Sequence, residues 1–168
     1  MSLALAGCAV PVKPVTVKPV TSGAAPNSIS SDQTIIVGKI ILSRDGHILV
    51  PYDEQNLPRV AFSKAAPNPI AIENDGFFYF ILPHGEFDLV AIDCGLKKFH
   101  HSPDRVSPAV RIQTVVGNRA VYVGTLKIDY HRINWLGYGG KVDSLEIIDE
   151  FETSKSNLLG PGFQPDAR

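Results

Sequence analysis

The chain is poor in several things that would name a function. Among 168 residues there are two cysteines, Cys8 and Cys94. At most one disulfide can form, and it would have to cross a long stretch of Pro, Ser and Ala residues. Neither charge sign prevails: 16 Lys+Arg stand against 17 Asp+Glu, a formal net charge of -1. That balance gives no long-range field to draw in nucleic acid or an anionic membrane. No apolar run approaches the ~18 residues that a membrane-spanning helix needs. There is no Gly-x-Ser-x-Gly elbow, no phosphate-binding Gly-Lys loop and no dinucleotide fingerprint. These absences leave no catalytic signature, and the expectation is a protein that is not an enzyme and carries no cofactor.

What is present is 14 Gly and 13 Pro in a chain that is 44% hydrophobic and 20% charged. Frequent breakers in an otherwise globular composition argue for short strands joined by turns rather than long helices. The chain divides by texture into residues 1–7, a Pro/Ser-rich tether at 8–33, a folded domain at 34–151 and a polar tail at 152–168. Residues 10–20 read VPVKPVTVKPV, an imperfect Val-Lys-Pro-Val repeat. Proline fixes its own φ and holds the preceding residue extended. The repeat is therefore expected to be a polyproline-like, disordered spacer. Residues 21–33 continue with Ser, Gly, Ala, Pro and Asn and cannot bury a core.

Within the domain, Ile35 to Leu42 is β-branched and apolar on both faces, as a central strand should be. Asp45-Gly46 makes a turn from which His47 to Tyr52 can return antiparallel. Arg59 to Ser63 reads as a short strand. Asn74-Asp75-Gly76 turns into Phe77 to Leu82, the densest aromatic run. Pro83-His84-Gly85 turns again, and the next strand puts Phe87, Leu89 and Ala91 on one face. Residues 95–108 hold Lys97, Lys98, His100, His101 and Arg105 and read as a surface excursion. Val110, Ile112, Thr114 and Val116 share a face, Gly117-Asn118 reads as a two-residue hairpin turn, and the strand back carries Ala120 to Tyr130. Leu145 to Phe151 fits a strand better than a helix. About eight short strands in this order predict an all-β fold, an antiparallel β-sandwich of transthyretin or immunoglobulin type.

Two segments resemble known families. Leu5-Ala6-Gly7-Cys8 resembles the lipobox of bacterial lipoproteins. The resemblance implies a signal-peptide remnant at 1–7, cleavage between Gly7 and Cys8, and acyl chains on the Cys8 sulfur. Ala9 after the cysteine implies outer-membrane sorting, facing the periplasm. Gly38-Lys39-Ile40, then Asp75-Gly76, Phe78, Phe80, Leu82-Pro83, Gly85 and Phe87 resemble the carboxypeptidase-regulatory-like, transthyretin-like sandwich. Two tight turns bracket a strand whose aromatics would fill the space between sheets.

Candidate binding residues are few. Trp135 and Tyr138, in the Gly-rich loop 133–140, could form an aromatic platform for sugar or peptide. His100 and His101 could meet an anion. They lie near Cys94, Asp93 and Asp104, but adjacent histidines on extended chain point to opposite sides, so no metal site is expected. The reading is a lipid-anchored cell-envelope protein, tied to the membrane through Cys8, whose non-catalytic β-sandwich is a structural or binding module. The alternatives are an accessory subunit of an envelope assembly or secretion complex, meeting an envelope protein partner through an open sheet edge. A small periplasmic hydrolase or metal-binding protein using the His loop comes next, then a cytosolic domain with a chance Cys8. Nucleic acid is not an expected partner.

Overall fold

The computed structural model describes residues 13–14, 18–19, 30–52, 57–63, 70–94, 104–114, 120–133 and 139–153. Along these residues run β1 (Lys13–Pro14), β2 (Lys18–Pro19), β3 (Gln33–Arg44), β4 (His47–Ile48), β5 (Arg59–Phe62) and β6 (Ile70–Ala71). They are followed by β7 (Phe77–Pro83), β8 (Gly85–Cys94), β9 (Asp104–Val106), β10 (Val110–Thr114), β11 (Ala120–Arg132) and β12 (Gly140–Ile148). One helical turn closes the described chain at 151–153. The fold is all-β, as the sequence predicts.

The β-branched run at 35–42 becomes the middle of β3, which is paired on both edges. β7 lies antiparallel on one edge, from Gln33↔Pro83 to Lys39↔Phe77. β11 lies parallel on the other, from Ala120↔Ile35 to Tyr130↔Arg44. β12 then pairs antiparallel with β11 over 125–132. A strand flanked on both edges pairs most of its backbone, and Ile36, Ile40 and Leu42 are fully buried. At its end Asp45 and Gly46 both take positive φ, and β4 folds back on Ser43 and Arg44. The Tyr52 hydroxyl staples the returning chain to β3. It donates to Ile40 O at 2.9 Å and accepts from Leu42 N at 3.0 Å.

A second limb forms around β8. β5 pairs with its C-terminal half on one edge. On the other edge β10 takes 85–89 and β9 takes 92–94. The limbs face each other across the aromatic run. Phe62 of β5 meets Phe80 of β7 edge-on at 5.1 Å, and Phe80 stacks on Phe78 at 5.0 Å. Phe87, Leu89, Val110, Ile112, Leu126 and Ile128 complete the core between them. Each such side chain contributes roughly 1.5–3 kcal/mol through burial.

Four expectations need correction. The sheet is mixed, not wholly antiparallel, because β3 and β11 run parallel and so do β9 and β12. It is one curled hydrogen-bonded path, β1-β10-β8-β9-β12-β11-β3-β4. Second, β10 and β11 are not a hairpin: β10 lies between β8 and β1, and β11 between β3 and β12. Gly117-Asn118 itself lies outside the described residues, and local turn chemistry says nothing about which sheet edge receives the next strand. Third, the surface excursion at 95–108 ends in β9, where Asp104 and Val106 are buried. Fourth, the tether expected to be disordered is paired at its described residues, Lys13–Pro14 with β10 and Lys18–Pro19 with β11. Of the strand expected over Leu145 to Phe151, Leu145 to Ile148 is strand and Phe151 begins the helical turn.

The two limbs meet where β9 touches β12, at the pair Val106↔Gly140. A Cβ built on Gly140 would lie 2.6 Å from the Tyr130 ring and 2.9 Å from a Val106 methyl. Gly140→Ala should therefore force the limbs apart and cost about 1–3 kcal/mol, the usual range for overpacking. Urea unfolding followed by far-UV circular dichroism measures it, and an unchanged midpoint would show that the junction yields.

Candidate functional site

The junction carries the most concentrated polar chemistry among the described residues. Asp104 sits on β9 with its side chain 1% exposed. Its carboxylate accepts from Arg132 Nε at 3.0 and 2.8 Å, and from the Tyr130 hydroxyl at 3.4 Å. Arg44 Nη1 lies 3.7 Å away. The contributions come from both limbs: β9 belongs to one, β3 and β11 to the other. Alternation along Asp104-Arg105-Val106 turns Asp104 inward beside Val106 and leaves Arg105 outside. A buried carboxylate requires partners, and two guanidiniums supply them while remaining 46% and 37% exposed. In return, Asp104 holds Arg132 more firmly in its charged form.

Cys94 is the cross-strand neighbour of Asp104. It is a free, buried thiol. Burial pushes its pKa far up, and the charges of Asp104 and Asp93 add to the effect. The thiolate, not the thiol, is the nucleophile. This cysteine is thus disarmed and serves as a small apolar core residue. Tyr130 and Tyr52 are likewise shifted upward by burial. The junction has the composition of a site but the electrostatics of a clamp.

The outer face of β3, β11 and β12 offers a different surface. The registers align Ile41, Lys127 and Glu146 in one row and Ser43, Asp129 and Ser144 in the next. Ile48 and Val50 wall one side and Glu150 the other, around an open groove of about 570 Å³. Its charged lining is mainly acidic, with Asp129, Glu146 and Glu150 against Lys127. The Thr125 hydroxyl donates to Glu150 Oε2 at 2.7 Å and fixes that carboxylate. The arrangement can hold an extended, partly apolar ligand with basic character, but it brings no reactive group to one.

Of the residues singled out from sequence, Gly7, Cys8, His100, His101, Trp135 and Tyr138 all lie outside the described residues. Among the described residues no three His, Cys, Asp or Glu side chains gather as metal ligands. No helix among them is long and apolar enough to cross a membrane. The reading of sequence missed Asp104, Arg132 and Arg44. The available signal was the period-2 pattern at 104–106, hidden within a polar, basic run. No family model, no curated protein and no solved structure matches the chain.

Two outcomes follow from the clamp. Asp104→Asn keeps the shape but removes the charge, and should cost about 1.5–3 kcal/mol, the worth of hydrogen bonds to charged groups. Thermal unfolding of the variant against Arg105→Gln, a neighbouring exposed change, provides the comparison. In the Cys8→Ser chain, Cys94 should react with a disulfide reagent only at the rate at which the domain opens. Fast labelling under native conditions would contradict its burial.

Proposed function

We propose that the protein is a lipid-anchored component of a bacterial cell envelope. Its β-domain is a non-catalytic structural or binding module. The observation that carries the reading is the order of segments: Leu5-Ala6-Gly7-Cys8, then a Val-Lys-Pro-Val tether, then a β-rich body. A small-residue site before the cysteine suits a narrow signal-peptidase cleft, and several acyl chains on one sulfur hold a membrane firmly. The disarmed Cys94 supports a body that binds rather than reacts. The outer membrane, facing the periplasm, is the location that Ala9 favours.

For the body, the reading is a transthyretin-like sandwich elaborated at its C-terminal half. In support, the two turns of the resembling segment carry positive φ at Gly76 and Gly85. Phe78, Phe80, Leu82 and Phe87 between and beyond them are buried in one core. The binding surface in this reading is the acidic groove beside β12. Its partner would be an envelope protein, or a peptide with basic and apolar side chains.

The full precursor, expressed in a diderm bacterium fed radiolabelled palmitate, should incorporate label and fractionate with membranes. Mass spectrometry should find an acylated cysteine at the mature N-terminus. Cys8→Ser should abolish both the label and the membrane fractionation. An unmodified Met1 on the wild-type chain would overturn the lipoprotein reading.

A further inference from the structure

The tether and the body meet in a way that the function above does not use. At 121–122, β11 has one edge filled by β3. β2 pairs with the same two residues, Val121↔Pro19 and Tyr122↔Lys18, so it occupies the opposite edge. That is the edge β12 occupies further along, up to the pair Thr125↔Ile148. β2 is antiparallel to β11, as β12 is. On the other limb, β8 fills one edge of β10, and β1 pairs with the second at Lys13↔Val110 and Pro14↔Arg111. β1 is parallel to β10, just as β12 is parallel to β9. Every direction agrees: the two Lys-Pro steps lie in the sense of β12, along the line where the limbs diverge beyond Val106↔Gly140.

Chain length agrees too. Pro14 and Lys18 are four residues apart, a reach of at most about 14 Å. The edges of β10 and β11 that receive the two repeats therefore border one seam. An open strand edge is a hazard, because its unpaired N–H and C=O groups accept any extended chain. Proline suits a strand that must cover such an edge and go no further. It has no N–H with which to extend the ladder, and it belongs on edge strands.

We propose that the seam between β10 and β11 is a β-addition site for an extended Lys-Pro-containing strand, filled in cis by the chain's own Lys13–Pro14 and Lys18–Pro19 steps. Valine and proline keep the segment extended before it docks, which lowers the ordering cost. The repeat places one Lys-Pro step on each limb, so a single segment bridges both. Among the described residues each step pairs two residues, and pairing that short lets the occupant exchange. The site does not depend on Cys8 being acylated, and the test uses the Cys8→Ser chain throughout so that the two readings fail separately.

In that full-length chain, residues 10–20 are replaced by a Gly/Ser segment of equal length, and amide hydrogen exchange is compared with the parent. Peptides covering Val110–Thr114 and Val121–Tyr122 should exchange at least tenfold faster, while the middle of β3 keeps its protection. Adding the free peptide VPVKPVTVKPV at millimolar concentration should restore the slow exchange. Unchanged exchange at both edges in the replaced chain overturns the proposal, as does failure of the free peptide to restore it. A second measurement guards against general unfolding of the replaced chain. With Lys13 substituted by p-benzoyl-phenylalanine in the otherwise intact chain, irradiation should cross-link position 13 to residues 110–114. Cross-links found elsewhere, or none, overturn the proposal.

Discussion

Among the described residues β9 and β12 join the two limbs of a curled sheet through one backbone pair, Val106↔Gly140, and the alignment of the limbs depends on how that contact is held. One residue pair of ladder is a weak hinge. Asp104 strengthens it from inside, reaching from β9 to Arg132 on β11 and towards Arg44 on β3. The geometry makes the clamp directional. Arg132 presents Nε to both carboxylate oxygens, while its exposed end keeps part of its hydration. The desolvation cost therefore falls mainly on Asp104, and the paired cations and the Tyr130 hydroxyl offset it. Glycine at 140 is the steric counterpart, since only a missing Cβ lets β12 approach Val106 and the Tyr130 ring together.

The aromatic core is a separate source of cohesion. Phe62 and Phe80 join β5 to β7, whose strands have no ladder between them. Their contact is non-directional apart from the edge-to-face preference of the rings. It pulls the limbs together without fixing their register. The clamp and the core thus divide the work: burial supplies most of the free energy, and the polar junction selects one alignment of the limbs.

Much of this was legible in the sequence, and the failures share a cause. Strand content, the turns at Asp45-Gly46 and Asn74-Asp75-Gly76, and the inward faces of β7, β8 and β10 all follow from period-2 patterns and turn chemistry. Both are properties of neighbouring residues. Pairing partners are not. Nothing local distinguishes a β10–β11 hairpin from a crossing between limbs, and Gly-Asn at 117–118 reads as the simpler of the two. Asp104 was hidden for a related reason. Its burial is set by Arg132 and Arg44, which lie 28 and 60 positions away in the chain. The lipobox and the loop residues His100, His101, Trp135 and Tyr138 rest on sequence alone.

The tether ties these levels together. Read locally, Val-Lys-Pro-Val is a spacer, because proline discourages sheet interiors. The same property qualifies it for the border of a sheet, where a ladder must stop. On the lipoprotein reading the two states differ in reach. An undocked tether from Cys8 to Ser30, where the body begins, reaches at most about 80 Å. A tether pinned at Lys13 leaves five residues, at most about 18 Å, between the anchor and the body. Whatever occupies the seam in place of the repeats would free the longer leash. Occupancy of one strand edge would then set how far the acidic groove can stand from the membrane. The Asp104 clamp joins the same two limbs from inside, from β9 to Arg132 on β11, independently of the tether.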